Sequence, residues 1–524
     1  MRRNVWWRAG PWVLASALLW VPAAGVQAAP GHAHGLPALG DGGEMTLSDE
    51  RRLGDQIVRQ LYRDPSYFDD PVLQVYLQSI WEPLVASARR RGDMSAELAE
   101  RFAWDILIGR DRMVNAFALP GGYLGVYLGL IATVSTPDEL ASVLAHELSH
   151  VSQRHIARLI GRQNQQTPWV IGAMILGALA ASSAKNVDIA SAAMAGGQAV
   201  AIQSQLNFSR DMEREADRVG FGIMTDAGFD GAGFVTLFDK LQTASRLNDD
   251  GAFPYLRSHP LTAERMADMS ARMPERASGN PSGQPGPISA EWHAMMAARA
   301  RVWSETSAEA LQHLAAPLRH SNGPKADAAT LGIRYAATLA AARLRDASAV
   351  HDGLRQLQAS LPTDARARHA VAWLALETGV LLGTTGLDAG RREALGQLAL
   401  ERLRGAQRPD VVLAAQMALL LDAEVQRVAV QRLQAWTSLH PRDALAWQTL
   451  SSLHMAQQQP VRAARADGEA RMAHLDAQGA AERFRAAQQM ARQSAETDHI
   501  ELSIVDARLR QAEALWREQL RESR

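Results

Sequence analysis

Residues 136–153, TPDELASVLAHELSHVSQ, read as one helix, and that helix sets the fold of the first half of the chain. Thr136 is a good N-cap, Pro137 suits the first helical position, and Glu139 three residues on supplies a capping box. Residues four apart share a helix face, so His146 and His150 point the same way. Two imidazoles so placed can hold one zinc ion, with Glu147 beside them to work on an activated water. With 15 His among 524 residues, chance would supply roughly 0.02 such H-E-x-x-H matches. The plain alternative is a helix with two ordinary histidines, and the surrounding sequence speaks against it.

Composition bounds the rest. Lys and Arg number 55 against 56 Asp and Glu, with no basic run, so nothing favours nucleic acid as a partner. The length allows two to four domains, and plentiful Ala with few aromatics leans towards helix. Arg2, Arg3 and Arg8, the apolar run Trp12 to Val21, and Val26-Gln27-Ala28 form a signal peptide over residues 1–28, cleaved after Ala28. An uncleaved anchor is the alternative, but the apolar run is short for a span. Export by this cleaved leader is therefore expected. There is no Cys, which excludes a disulfide scaffold and a Cys-anchored lipoprotein and leaves zinc to His and carboxylate.

Between the leader and the zinc helix, Ser48 opens an amphipathic helix to about Arg63, and Asp70-Pro71 starts another that ends before Gly92, with Pro83 inside it. Strands are expected over Phe102 to Ile108, Val114 to Ala118 and Tyr123 to Tyr127, with a turn at Pro120-Gly121-Gly122. A strand at the edge of this small sheet could take up an extended peptide, with Asn115 and the strand near Tyr123 holding substrate backbone; the sheet could equally be a packing layer. The helix after His150 is expected to continue past His155. Two apolar pieces within 169–202 look like an inserted hairpin, read as a lid or a peripheral membrane contact.

Ser209 to about Ala227 reads as the second helix of the site. Glu213 and Asp217 lie four apart on one face, so Glu213 can be a third zinc ligand, and Asp217 can accept a hydrogen bond from the outer nitrogen of a ligand His. Residues 274–289 are rich in Pro, Gly and Ser and mark a linker. Beyond it, Leu331-Gly332-Ile333-Arg334-Tyr335, the junction Leu439-His440-Pro441, and the 34-residue interval from Leu413 to Trp447 suggest tetratricopeptide-like repeats, a plain helical bundle being the alternative.

Asn115-Ala116-Phe117-Ala118-Leu119-Pro120-Gly121-Gly122, the H-E-x-x-H helix and Glu213-Arg214-Glu215-Ala216-Asp217 together resemble the HtpX and CAAX-prenyl-protease group of zinc peptidases, which are gluzincins. The leader and helical second half are similar to its soluble periplasmic BepA type, which implies the periplasm as the location. The resemblance covers roughly residues 40–272 and implies an α+β, mostly helical fold. A gluzincin-like metalloprotease domain would occupy 40–273, and an all-α tetratricopeptide-like domain 290–524. It implies one Zn(2+) per subunit on His146, His150 and Glu213, with Glu147 catalytic. It also implies a fourth, regulatory ligand at His259, which stands in the Ser258-His259-Pro260-Leu261 context. The implied role is a metalloendopeptidase of envelope quality control. Its partners would be misfolded or assembling outer-membrane proteins, and the outer-membrane assembly machinery through the repeats. A protein-binding assembly chaperone with a silent or structural zinc site is the competing reading, and a small-molecule zinc hydrolase a weaker third.

Overall fold

A computed structural model describes residues 45–162, 209–247, 252–273, 286–319, 327–360, 362–493 and 498–522. The expected leader at 1–28, the 169–202 insertion and residues 274–285 of the expected linker lie outside the described residues. The described residues belong to one compact unit, Glu44–Arg524. The fold is α+β and mostly helical, with one small sheet.

Helix α1 is Leu47–Leu61, capped by the Thr46 side chain on Asp49 N. Helix α2 is Pro71–Arg91, capped by Asp70 and closed by Gly92 at φ 77°. It runs through Pro83 without stopping, and Val72, Leu73, Tyr76, Leu77, Ile80, Trp81 and Leu84 make its buried stripe. Helix α3 is Ala96–Arg101. The strands are β1 Asp105–Gly109, β2 Ala116–Leu119 and β3 Tyr123–Tyr127, in the order β1-β3-β2. β1 runs parallel to β3 and β2 antiparallel to it. Gly121 and Gly122, at φ 76° and 85°, turn the chain from β2 into β3, a conformation that a Cβ would strain.

Helix α4 is Leu128–Thr133 and α5 is Pro137–Ser152, the zinc helix of the sequence reading. α5 is buried almost all round, so it is a core helix rather than a surface one. Thr136 caps Glu139 N, while the Glu139 carboxylate accepts from Ser135 N and from Lys240. α5 does not continue past His155. It breaks at Arg154, which sits at φ 54°, and the chain restarts as α6, His155–Arg162. No Gly or Pro marks this break. The Arg154 side chain holds it by bonding to Glu50 Oε2 and Met45 O. Helix α7 is Arg210–Asp226, α8 Ala232–Leu247, α9 the single turn Tyr255–Ser258, and α10 Ala263–Arg272.

Among the described residues the elements of the second half are all helices: α11 Ala290–Ser304, α12 Ala308–Ala315, α13 Ala328–Arg343, α14 Ala347–Ala359, α15 Ala365–Leu382, α16 Ala389–Arg402, α17 Arg408–Ala418, α18 Ala423–Leu439, α19 Ala444–Ala456, α20 Pro460–Ala473, α21 Ala477–Gln493 and α22 His499–Glu522. Most helices here pack on their neighbours in sequence. α11 also packs on α4 and α2, and one core runs through both halves. Arg299 of α11 is fully buried between Asp70, the cap of α2, and Glu377 of α15, and donates to both carboxylates and to the Tyr335 hydroxyl. Arg408 likewise joins Asp69 to Asp443.

Candidate metal centre

α5 carries His146, Glu147 and His150 inward, and α7 packs across it with Glu213 and Asp217 on the facing side. The approach is close because Gly220 of α7 has no side chain; a Cβ there would stand 3.0 Å from Ala145 O. The turn α9 brings His259 over the same point. His146, His150, Glu213 and His259 each offer one donor atom, all within 4.8 Å of one another.

The separations fit one small ion. His146 Nε2 lies 3.0 Å from His150 Nε2, 3.3 Å from His259 Nδ1 and 3.5 Å from Glu213 Oε2. Glu213 Oε1 is 3.4 Å from His150 Nε2 and 3.0 Å from His259 Nδ1. Donors in a tetrahedron around zinc, each at its usual bond length, stand about 3.3 Å apart. Nitrogen and carboxylate donors without sulfur suit that ion. Glu147 is fully buried, and neither of its carboxylate oxygens is hydrogen-bonded among the described residues. His259 Nε2 comes within 3.3 Å of one of them. A buried carboxylate without hydrogen bonds is costly in a site with no other purpose.

Two residues brace the set. Asp217 Oδ1 lies 2.9 Å from His146 Nδ1, as expected of a group that orients a ligand imidazole. Arg265 of α10 grips Asp217 with Nε and Nη2, at 2.6 and 2.8 Å, and places Nη1 2.8 Å from Glu213 Oε2. Burial alone would lower the His146 pKa, but Asp217 and Glu213 carry it up to about 9. Burial and the neighbouring His146 charge push His150 well down. Burial would raise Glu213, yet His259 and His146 hold it well below the usual carboxylate range.

The expected substrate-holding residues are placed differently. Tyr123 lies on β3, whose main chain is paired on both sides by β1 and β2, so that strand cannot accept a peptide. Its phenol donates to Asp55 and accepts from Arg51, away from the donor set. Asn115 is buried at the head of β2, and its carbonyl accepts from Tyr127 N. The alternation of an antiparallel pair then turns the main-chain groups of Ala116 and Ala118 outward, away from β3. Val114 faces the same way but is taken, its N–H bonding Ala252 O and its carbonyl accepting from Tyr255 N. The segment carrying His259 thus begins on this same edge.

Sequence reasoning passed over Arg265, His155 and Glu215. Arg265 had a signal, standing at the third position of a helix capped by Thr262 directly after His259-Pro260. His155 had none while α5 was read as unbroken.

Residues 72–273 match the family described as Peptidase family M48. Over 241 residues the chain is 36% identical to the putative beta-barrel assembly-enhancing protease of Vibrio cholerae, covering 45% of this chain and 47% of that one. It is 35% identical over 243 residues to the beta-barrel assembly-enhancing protease of Escherichia coli strain K12, with the same coverage. Over 180 residues it is 30% identical to the mitochondrial metalloendopeptidase OMA1 of Arabidopsis thaliana, covering 34% of each chain. The chain spans about half the length of the beta-barrel assembly-enhancing relatives, or less in the case of this OMA1.

Proposed function

We propose that this chain, which carries a peptidase family M48 domain over residues 72–273, is a zinc-dependent endopeptidase acting in the periplasm on misfolded or assembling outer-membrane proteins. The observation that carries the reading is a zinc-sized donor set with a buried Glu147 beside it whose carboxylate oxygens accept no hydrogen bond among the described residues. His146, His150 and Glu213 hold the ion, and Asp217 and Arg265 keep the first and last of these aimed. When bound, zinc supplies the Lewis acid that polarises a scissile carbonyl and makes water acidic enough to react near neutral pH. Glu147 takes the proton of the attacking water and delivers it to the leaving amine. The outward main chain of Ala116 and Ala118 holds an extended substrate as an added strand. His259 is the regulatory fourth donor, covering Glu147 until substrate or a partner draws it away.

The helices after residue 290 form a tetratricopeptide-like domain, joined to the protease domain through the 274–289 linker, that brings clients or the outer-membrane assembly machinery to the site. The relatives' name supports that client class. No helix among the described residues is long and apolar enough to cross a membrane.

The test is zinc analysis with casein cleavage on wild type and Glu147→Gln. One zinc per chain is expected in both, with cleavage falling by at least about 10²-fold in the variant. Undiminished cleavage by Glu147→Gln would refute the role of Glu147. A second reading, an assembly chaperone with a silent zinc, is favoured by one observation: His259 completes a closed set of four protein donors, as structural zinc sites have. Stoichiometric zinc with no cleavage by wild type would select it.

A further inference from the structure

His155 stands directly behind a ligand. It is fully buried, and its Nδ1 lies 2.8 Å from Nδ1 of His150. Its Nε2 lies 3.0 Å from Glu215 Oε2, which also accepts from Arg158 Nη1 at 2.9 Å. The two imidazoles meet nearly edge to face, their planes 76° apart. No residue five positions on along an unbroken helix could do this, since i and i+5 face different ways. The left-handed turn at Arg154 swings His155 back under His150.

We propose that His155 is a positioning residue for the metal centre, fixing the tautomer and ring orientation of His150 through a Glu215–His155–His150 relay. Polarity along the relay follows from chemistry. Glu215, paired with the permanently charged Arg158, is an acceptor only, so the His155 proton stays on Nε2. His155 Nδ1 is then a lone pair, and the 2.8 Å contact requires His150 to donate from its own Nδ1. A neutral imidazole has one proton to place. His150 Nε2 is therefore bare, and it is the atom that faces His146 and Glu213. The reverse polarity would set a nitrogen lone pair against the Glu215 carboxylate. His146 reaches its carboxylate directly, through Asp217. His150 reaches one through a second imidazole, His155 of α6, which places α6 between this ligand and the Glu215 carboxylate of α7.

The proposal rests on the zinc reading of the donor set, and its test separates the two. Zinc affinity is measured on the full chain by competition with a chromophoric chelator, together with the thermal midpoint of the metal-free protein, for wild type, His155→Ala, His155→Gln and Glu215→Ala. A carboxamide at position 155 can still accept from His150 and donate to Glu215. We expect His155→Ala to bind zinc about 10- to 100-fold more weakly, His155→Gln to recover most of that loss, and Glu215→Ala to fall between them. The metal-free midpoints of the two His155 variants should match each other. Wild-type affinity in His155→Ala would overturn the proposal, as would a His155→Gln as weak as His155→Ala. Glu215 is partly exposed, so Glu215→Ala keeps the proposal testable if a His155 variant does not fold, and unchanged affinity there would also count against the relay. A wild type that binds no zinc would instead remove the reading beneath it.

Discussion

His259 is where the proposed latency can be tested on a single residue. Its Nδ1 fills one corner of the donor set while its Nε2 approaches Glu147, so in the proposed reading it would cover both a bound metal and the base. His259→Ala should raise basal casein cleavage and weaken zinc binding, and a variant unchanged in both would show that His259 has no part in the site. His293 offers a different test. It is buried between the Tyr76 hydroxyl, 2.6 Å from Nδ1, and Val134 O, 3.2 Å from Nε2. Burial lowers its pKa from the ordinary 6.5 to about 4. Below about 6.5 the unfolded chain therefore binds a proton that the folded chain refuses, and stability is lost as the pH falls towards 4. Between pH 7 and pH 5 this single group should cost about 2 kcal/mol. The gap between urea midpoints at the two values should narrow by about that amount in His293→Gln, which can keep both hydrogen bonds without titrating; His150, His155, His454 and His474, also lowered by burial, account for what remains. At this scale the sequence was informative where spacing encodes geometry: His146, His150, Glu213 and Asp217 are each paired by a four-residue step on a regular helix. His155 and Arg265 were hidden because their approach depends on a turn and on a separate helix, neither written in any local period.

Helix packing, rather than any single ligand, sets the distance between the imidazoles and Glu213. α5 and α7 meet at Gly220, where an added Cβ would press on the Ala145 carbonyl and the His146 amide. Gly220→Val should force the helices apart by a fraction of an ångström and shift Glu213 from the two histidines. Zinc affinity is expected to drop by at least about tenfold, with the metal-free protein losing roughly 1–3 kcal/mol from overpacking; chelator competition and thermal unfolding measure the two. Most elements were readable because their ends carry caps: Thr136, Ser209, Asp70 and Thr262 all accept from the amide expected of an N-cap. The break between α5 and α6 was not, because a left-handed arginine has no sequence signature and is held there by Glu50, about a hundred residues upstream. Sheet order escaped for a related reason. Three strands in sequence do not say which lies in the middle; β3 inserts between the other two, which puts β2 at the edge facing α5.

Across the whole molecule, charge is used where an apolar contact would have served for stability alone. Arg299 is enclosed by Asp70 and Glu377 and ties the cap of α2 to helices α13 and α15. Arg299→Met would leave two carboxylates buried without their partner, and is expected to cost about 3–5 kcal/mol in thermal or denaturant unfolding. The Pro- and Gly-rich stretch before α11 suggests a seam, but composition could not show that an arginine shortly beyond it would reach back to the start of α2, since no periodicity encodes a pairing so distant in the chain. The enclosure of the metal donors has a consequence on the same scale. Because His146, Glu147, His150, Glu213 and His259 are each at most 2% exposed, the proposed hydrolase would work at a rate that is the product of what Glu147 can achieve and the fraction of time His259 stands aside. Each tenfold rarity of that open form removes tenfold from turnover. A cell could therefore keep many copies of such a hydrolase among its own unfolded chains at little risk, and set its output by whatever lifts the cover rather than by how much protein it makes.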